Sequence, residues 1–480
     1  MNLTIGEIAA VCGGRLVLSD NSRSDTKVTS VVIDSRQVTE GGVFIATLGE
    51  RVDGHTFVSD AFAKGVVLAV VSKTPEQLAM ETGAPVTGWG SYVLVEDSLQ
   101  ALKCIGEFYR EKLDVKVVGI TGSSGKTSTK EFVAGVLEEK YSVLRTEGNY
   151  NNEIGVPLTL LKIRGEHQVA VVEMGISDFG EMHRLSKMAK PDICVITNIG
   201  QSHLDNLKTR DGILKAKSEI FDFMAQDGEI CLNGEDDKLA ALDDIKGHRP
   251  HFFGMGGNPN QEVFATDIVG RGLWGSDAKL RMGNTSFEIY VPLPGIHMVL
   301  NAAAAACVAG LLGLTPQQIA AGISKIVPIN GRNNLIRLPQ YTLIDDCYNA
   351  NPASMKVALD LLDMADTEKV AVLGDMFGLG GEDSDELHRE VGAYAARKRI
   401  DRILCVGERA QHMFQAALHN AAQTSQITHF PTLEALLAAL QKEREKYIPD
   451  GCTVLIKASH AMKFEEVLDF LRQRERTSYK

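Results

Sequence analysis

The chain has 480 residues, 44% of them hydrophobic and 23% charged, with a formal net charge of -12. That length exceeds one ordinary core and points to about three domains, and the acidic balance argues against a nucleic-acid binder, which needs a basic face. Eight scattered cysteines, none in a Cys-x-x-Cys pair, fit free thiols in a reducing compartment rather than disulfides or a zinc site.

In chain order, Met1–Val11 lacks the cationic and apolar pattern of a secretory signal, and a short helix is expected at Ile5–Cys12. Strands at Val28–Ile33, Val43–Thr47 and Val66–Val71 make a small α/β unit. A helix over Ser98–Lys112 leads into a second unit, which opens with the apolar strand Val115–Ile120. A glycine-rich turn, a helix over about Lys126–Lys140 and strands at Val169–Met174 and Ile193–Asn198 follow. Apolar strands alternating with helices indicate a parallel sheet covered on both faces.

Glycine and polar residues from His248 to Tyr290 indicate short antiparallel strands. Met298–Leu314 reads as a buried, alanine-rich helix, too short and too weakly apolar to span a bilayer. From about Asn330, strands at Thr342–Asp345, Val370–Leu373, Ile403–Val406 and Thr453–Ile456 alternate with helices such as Pro352–Met364 and Leu433–Lys446. The expected fold is therefore α/β in three domains: a small α/β N-terminal domain (1–99), a central P-loop-type parallel-sheet ATPase domain (100–328) and a C-terminal Rossmann-like domain (329–480). A cytoplasmic location is expected.

The strongest chemical signal is Thr121-Gly122-Ser123-Ser124-Gly125-Lys126-Thr127, with Ser128 following, between an expected strand and helix. Successive backbone N–H groups of such a loop surround phosphate oxygens, aided by the positive end of the helix. Lys126 can reach the β- and γ-phosphates, and the Thr127 hydroxyl suits magnesium. The general pattern would put glycine at position 120, which is Ile120, so the loop is a compact variant. Glu173 ends the next identifiable strand, where a carboxylate can hold magnesium against phosphates. His203 and Asp205 follow the strand after that, and Lys215 and Lys217 are placed at the start of the next helix, exposed by default. Asp236–Asp237 and Glu382–Asp385 read as solvated turns, and Cys347 has no partner to activate it as a nucleophile.

Thr121–Thr127, Glu173-Met174-Gly175, His203-Leu204-Asp205 with Lys217, and Asn301 with Arg332 together resemble the Mur ligases of peptidoglycan synthesis, over essentially the whole chain. Within that family, Thr146–Pro157, Asp345–Pro352, Leu373–Met376, Leu387–Gly392, Asp34–Arg36 and Asp53–His55 are similar to the members that join D-alanyl-D-alanine to UDP-N-acetylmuramoyl-tripeptide. The pattern departs at Lys457-Ala458-Ser459-His460, where those members have Lys-Gly-Ser-Arg, and at Phe377-Gly378-Leu379-Gly380, where they have Glu-Leu-Gly.

The resemblance implies an ATP- and Mg2+-dependent ligase that activates a carboxylate as an acyl phosphate, acting as a monomer without nucleic-acid or membrane partners. It implies that Thr121–Ser128 hold ATP and that Lys126 neutralises the γ-phosphate. Thr127 and Glu173 would hold one magnesium, and His203 with Glu173 a second. Lys217 matches the lysine that family members carbamylate. Asn301 would read adenine, and Arg332 and Asp346 would reach the nucleotide from the third domain. Asn149, Asn152 and Glu153 would contact the muramoyl peptide, Ser35 and Arg36 the uridine diphosphate, and Tyr348 and Asn349 the substrate side of the third domain. The alternatives within the family are a diaminopimelate- or lysine-adding member, and the Asp-Asn-Pro-Arg segment of the diaminopimelate-adding enzyme is absent. A folate polyglutamating ligase would not match the first domain, and a nucleotide switch would not need Glu173, His203 and Lys217 together.

Overall fold

The computed structural model describes residues 1–480 except 21, 50–51, 257–259, 329–330, 332–333, 380–383, 421–424 and 478–480, and the side chains of 473–477. Arg332, Gly380 and Glu382 therefore lie outside the described residues. The chain forms three sheets, of five, nine and six strands.

The first sheet runs Arg15–Val17, Tyr92–Leu94, Leu68–Val71, Val43–Ile45, Val31–Val32, and only its first pair is antiparallel. The expected strand Val28–Ile33 is split. Val28 donates its N–H to Leu3 O in the N-terminal segment, so only Val31–Val32 reaches the sheet. Helix Ser98–Glu111 buries Ala101, Leu102, Ile105 and Tyr109 in a core shared by the first sheet and one face of the second. Asp97 caps it, accepting from Leu99 and Gln100 N–H, which satisfies donors that a helix start leaves open.

The second sheet places strand Lys116–Thr121 between Ile193–Ile196 and Val169–Glu173, with Val143–Arg145 outermost on that side. On the other side come Glu229–Asn233, His251–Gly254, Gln261–Gly270, Ser276–Met282 and Thr285–Val291. The reading of His248–Tyr290 as short antiparallel strands holds for its last three strands and needs correction for the first. His251–Gly254 pairs in parallel on both sides, and Gln261–Gly270 is 10 residues long, while the last three strands form an antiparallel meander. Burial alternates along Ser276–Met282 because one face packs while the other meets solvent, and that dilutes the apolar signal. Helix Ile296–Leu311 covers the packed face with Val299, Ala302, Ala303 and Ala306. Its alanines let it lie close to the sheet and to helix Lys126–Leu137.

The third sheet runs Asn334–Arg337, Thr342–Asp345, Thr453–Lys457, Lys369–Gly374, Arg402–Val406, Gln426–Phe430, parallel apart from its first pair. The central unit reaches it through the turn Gly272–Trp274: Leu273 joins the third core, and the Arg337 guanidinium stacks 3.6 Å over the Trp274 ring. Among the described residues no helix is long and apolar enough to cross a membrane.

Candidate active site

Strand Lys116–Thr121 is buried at every residue but Lys116, and it delivers the chain to the loop at Gly122. Gly122 has φ +151° and sits so close to Thr197 that a β-carbon would lie 1.9 Å from the threonine hydroxyl oxygen. Gly125, at φ +77°, caps helix Lys126–Leu137, a left-handed position that costs glycine nothing sterically. The segment after the neighbouring strand fixes the loop. Thr197 Oγ1 donates to Ser124 O at 2.6 Å, and Asn198 Nδ2 donates to the same oxygen at 3.0 Å. Ser124 N–H donates back to Asn198 Oδ1 at 3.0 Å, and Gly200 N–H to Ser123 Oγ at 2.9 Å. Lys126 Nζ folds over the loop and donates to Gly122 O at 2.8 Å. The loop is thus held in shape by hydrogen bonds to the Thr197–Gly200 segment.

The parallel register sets Ile120 beside Glu173, which puts that carboxylate at the start of the loop. Glu173 is 2% exposed. Its N–H donates to Thr146 Oγ1 at 3.0 Å, and its Oε1 accepts from Asn151 Nδ2 at 2.7 Å. Its Oε2, like Thr121 Oγ1 nearby, is buried without a hydrogen-bond partner among the described residues. Buried oxygens left this way cost free energy unless a ligand satisfies them. An oxygen-seeking cation at a phosphate loop fits them.

Lys217 corrects the expectation of an exposed lysine at a helix start. It sits in the last turn of helix Arg210–Ser218 and is 2% exposed, whereas Lys215 stays in solvent. Among the described residues no carboxylate forms an ion pair with it. Burial, and then the Lys126 ammonium, holds its pKa well below the usual lysine value. His203 has φ +58° and precedes the short helix Leu204–Leu207. Burial, followed by the charges of Lys217 and Lys126, lowers its pKa from 6.5. These couplings place Lys126, His203 and Lys217 in one neighbourhood. Among the described residues no group of three or more His, Cys, Asp or Glu could hold a metal.

Asn301 packs against the loop helix: Thr129 Oγ1 donates to its Oδ1 at 3.0 Å, and a β-carbon on Gly125 would lie 3.9 Å from the same atom. Opposite the loop, a cleft of ≈ 340 Å³ opens between Ser123, Ser124 and Gly200 on the central side and Asn351, Pro352 and Gly378 of the third unit. Asn351 caps the helix Pro352–Asp363 at that wall.

Other expected residues have other partners. Asp346 takes Lys457 Nζ at 2.6 Å, and Lys457 also donates to Asn349 O at 2.9 Å, a buried pair inside the third unit. The Tyr348 ring lies 5.7 Å from that of His460, and Asn349 Oδ1 accepts from Ala350 N–H. Asn152 Oδ1 accepts from Ile154 and Gly155 N–H just before helix Gly155–Leu160. Asn149 O accepts from Asn151 N–H at 2.7 Å. Glu153 is held by Lys103 at 2.8 Å and by two nitrogens of Arg184 at 2.6 and 3.0 Å, and those bonds lower its pKa. Arg36 is exposed and pairs with Asp34 at 2.8 Å, while Ser35 O accepts from Lys64. Asp34 also lines a small cavity of ≈ 50 Å³ with Arg145, Tyr150 and Lys162.

Two residues carry more than the sequence reading gave them. Asp236 is not a solvated turn residue: it accepts from Ile199 N–H at 2.8 Å and so ties down the segment that braces the loop. Asn151 was passed over between Asn149 and Asn152. The run of asparagines between a strand and a helix was its only signal.

Comparison with known proteins finds matches in all three units. Residues 27–93 match the model of the Mur ligase family catalytic domain, 120–309 that of the Mur ligase middle domain, and 331–460 that of the Mur ligase glutamate ligase domain. The UDP-N-acetylmuramoyl-tripeptide--D-alanyl-D-alanine ligase of Bacillus subtilis is 33% identical over 97% of both chains. A crystal structure of MurF from Acinetobacter baumannii superposes with TM-score 0.85 at 33% identity, covering 98% of each chain. That of MurF ligase from Thermotoga maritima in complex with ADP gives 0.78 at 27% identity, over 94% of this chain and 99% of the other. The chain belongs to the Mur ligase family.

Proposed function

We propose that this chain joins D-alanyl-D-alanine to UDP-N-acetylmuramoyl-tripeptide in peptidoglycan precursor synthesis, and that ATP is cleaved to ADP and phosphate at the loop Thr121–Thr127. The hydrogen-bonded loop beside the buried Glu173 oxygen that has no partner among the described residues carries the assignment of the chemistry to this place. The full-length similarity to D-alanyl-D-alanine-adding ligases carries the choice of substrates. In this reading residues 1–99 take the UDP-linked substrate, 100–328 take ATP, and 329–480 take the dipeptide. The small cavity at Asp34 is the side from which Ser35 and Arg36 would meet the uridine diphosphate.

A carboxylate is a poor electrophile. One of its oxygens attacks the γ-phosphorus, the bond to the β-phosphate oxygen breaks, and ADP leaves an acyl phosphate. The dipeptide amine then attacks the acyl carbon, the carbon–oxygen bond to phosphate breaks, and the amine gives up a proton. Ser123 and Ser124 N–H are engaged by Asn198, so the N–H groups of Gly125 and Lys126 at the helix start and the Lys126 ammonium would offset the charge on the moving phosphoryl group. Thr127 and Glu173 would hold Mg2+, with His203 and Lys217 beside it, and the ion would supply further charge neutralisation. A cation held largely by the phosphates themselves needs few protein ligands.

The lowered pKa of Lys217 favours the neutral amine, the form that adds CO2 with loss of a proton to give a carbamate. That change turns a cation into an anionic oxygen donor. Asn301, beside the loop helix, would read the adenine. Closure of the cleft at Asn351 and Gly378 would exclude water from the acyl phosphate. The deciding experiment offers single amino acids and dipeptides to one UDP-muramoyl tripeptide and identifies products by mass. The D-alanyl-D-alanine adduct is expected, and a product with a single amino acid in its place would overturn the assignment.

A further inference from the structure

We infer that Asn151 is a positioning residue for the cation site, one that holds Glu173 Oε1 so that Oε2 remains as the ligand oxygen. The inference rests on the function proposed above. A carboxylate only accepts, so the amide face turned to it at 2.7 Å is the Nδ2 donor. One amide donor satisfies one oxygen and leaves the other, and Oε2 is buried without a partner among the described residues. Were both oxygens held by protein donors, the carboxylate would be a poor metal ligand.

Asn151 is itself braced from three directions. Its carbonyl accepts from Gly175 N–H at 2.7 Å, and its own N–H donates to Asn149 O at 2.7 Å. The third brace is the bare face of Gly175: a β-carbon there would lie 3.1–3.2 Å from the asparagine's Cγ, Nδ2 and Oδ1. Thr146 completes the frame, taking Glu173 N–H on its hydroxyl and the buried Lys130 ammonium on its carbonyl at 2.7 Å. Glycine after Glu173-Met174 is thus needed for space beside an amide. This arrangement is the kind of outer partner that fixes a metal-binding carboxylate's orientation.

The test uses the full chain with ADP bound and follows Mn2+ binding by electron paramagnetic resonance. Asn151→Ala is expected to weaken Mn2+ about tenfold or more, while ADP affinity in EDTA and the melting temperature stay near wild type. In turnover, the Mg2+ concentration for half-maximal rate should rise by a similar factor, with the rate at saturating Mg2+ far less affected. Gly175→Ala, which crowds the amide without removing it, should shift Mn2+ affinity in the same direction, and it carries the test if Asn151→Ala does not fold. Unchanged Mn2+ affinity in Asn151→Ala beside a loss in Glu173→Gln overturns the positioning role alone. Unchanged affinity in both variants overturns the assignment of Glu173 on which it rests.

Discussion

Gly122 and Thr197 approach so closely that the space for a β-carbon on Gly122 is already filled by the Thr197 hydroxyl, whose oxygen would stand 1.9 Å away. That hydroxyl also donates to Ser124 O, so the contact that forbids a side chain is part of what shapes the loop. Gly122→Ala must push the loop off the Thr197–Gly200 segment, at a cost of about 1–3 kcal/mol of overpacking. Gly125→Ala would meet only Asn301 Oδ1 at 3.9 Å, an ordinary contact, and loses only about 1 kcal/mol to its left-handed backbone. Calorimetric titration with ADP should show Gly122→Ala greatly weakened and Gly125→Ala much less so. Equal losses would mean that Thr197 does not set the loop.

Lys217→Ala should lower turnover by about two orders of magnitude. Acetate or propionate should restore part of it by supplying the carboxylate that a carbamate provides. A variant with full activity removes Lys217 from the site, and buried position alone would then be its role.

The loop, the Glu173 strand end and the three-part α/β rhythm were legible because each is a local pattern: glycine spacing, an apolar run, an alternation of strands and helices. Burial of Lys217 was not legible. It depends on helix Arg210–Ser218 turning its last turn inward, which tertiary packing decides. Asn151 and Asp236 were missed for the same reason, since hydrogen bonds across 22 and 37 residues leave no mark in a short window. Strands such as Val143–Arg145 and Tyr92–Leu94, at 3 residues each, are too short to show a period. Glu153 and Asp346 were recognised as residues of interest, yet their carboxylates are engaged by Lys103, Arg184 and Lys457.

The buried Asp346–Lys457 pair gives a stability prediction. Removing either partner strands a charge, so Asp346→Ala and Lys457→Met should each cost about 3–5 kcal/mol. Replacing both by apolar residues should cost less than the sum of the two. Denaturant unfolding of the four proteins forms the cycle, and additive losses would show that the pair is not coupled.

His251 bridges Glu262 at 2.6 Å and Glu229 at 3.0 Å on neighbouring strands. Burial lowers its pKa, but the two carboxylates outweigh this and raise it above 6.5. The folded state therefore binds the proton more tightly than the unfolded chain. Its contribution is full below the ordinary histidine pKa and fades as pH rises through the raised value. Because the carboxylates are part-exposed, the gain is about 0.5–1 kcal/mol. The melting-temperature difference between wild type and His251→Gln should be larger at pH 5.5 than at pH 9, and a difference that grows with pH would contradict this.

The most direct measurement follows oxygen. UDP-N-acetylmuramoyl-tripeptide labelled with 18O in its terminal carboxylate is turned over with ATP and D-alanyl-D-alanine, and the released phosphate is analysed by mass. An acyl phosphate requires one 18O atom in inorganic phosphate for each amide formed, alongside ADP. Label appearing in AMP, with pyrophosphate released, would contradict phosphoryl transfer at the Lys126 loop.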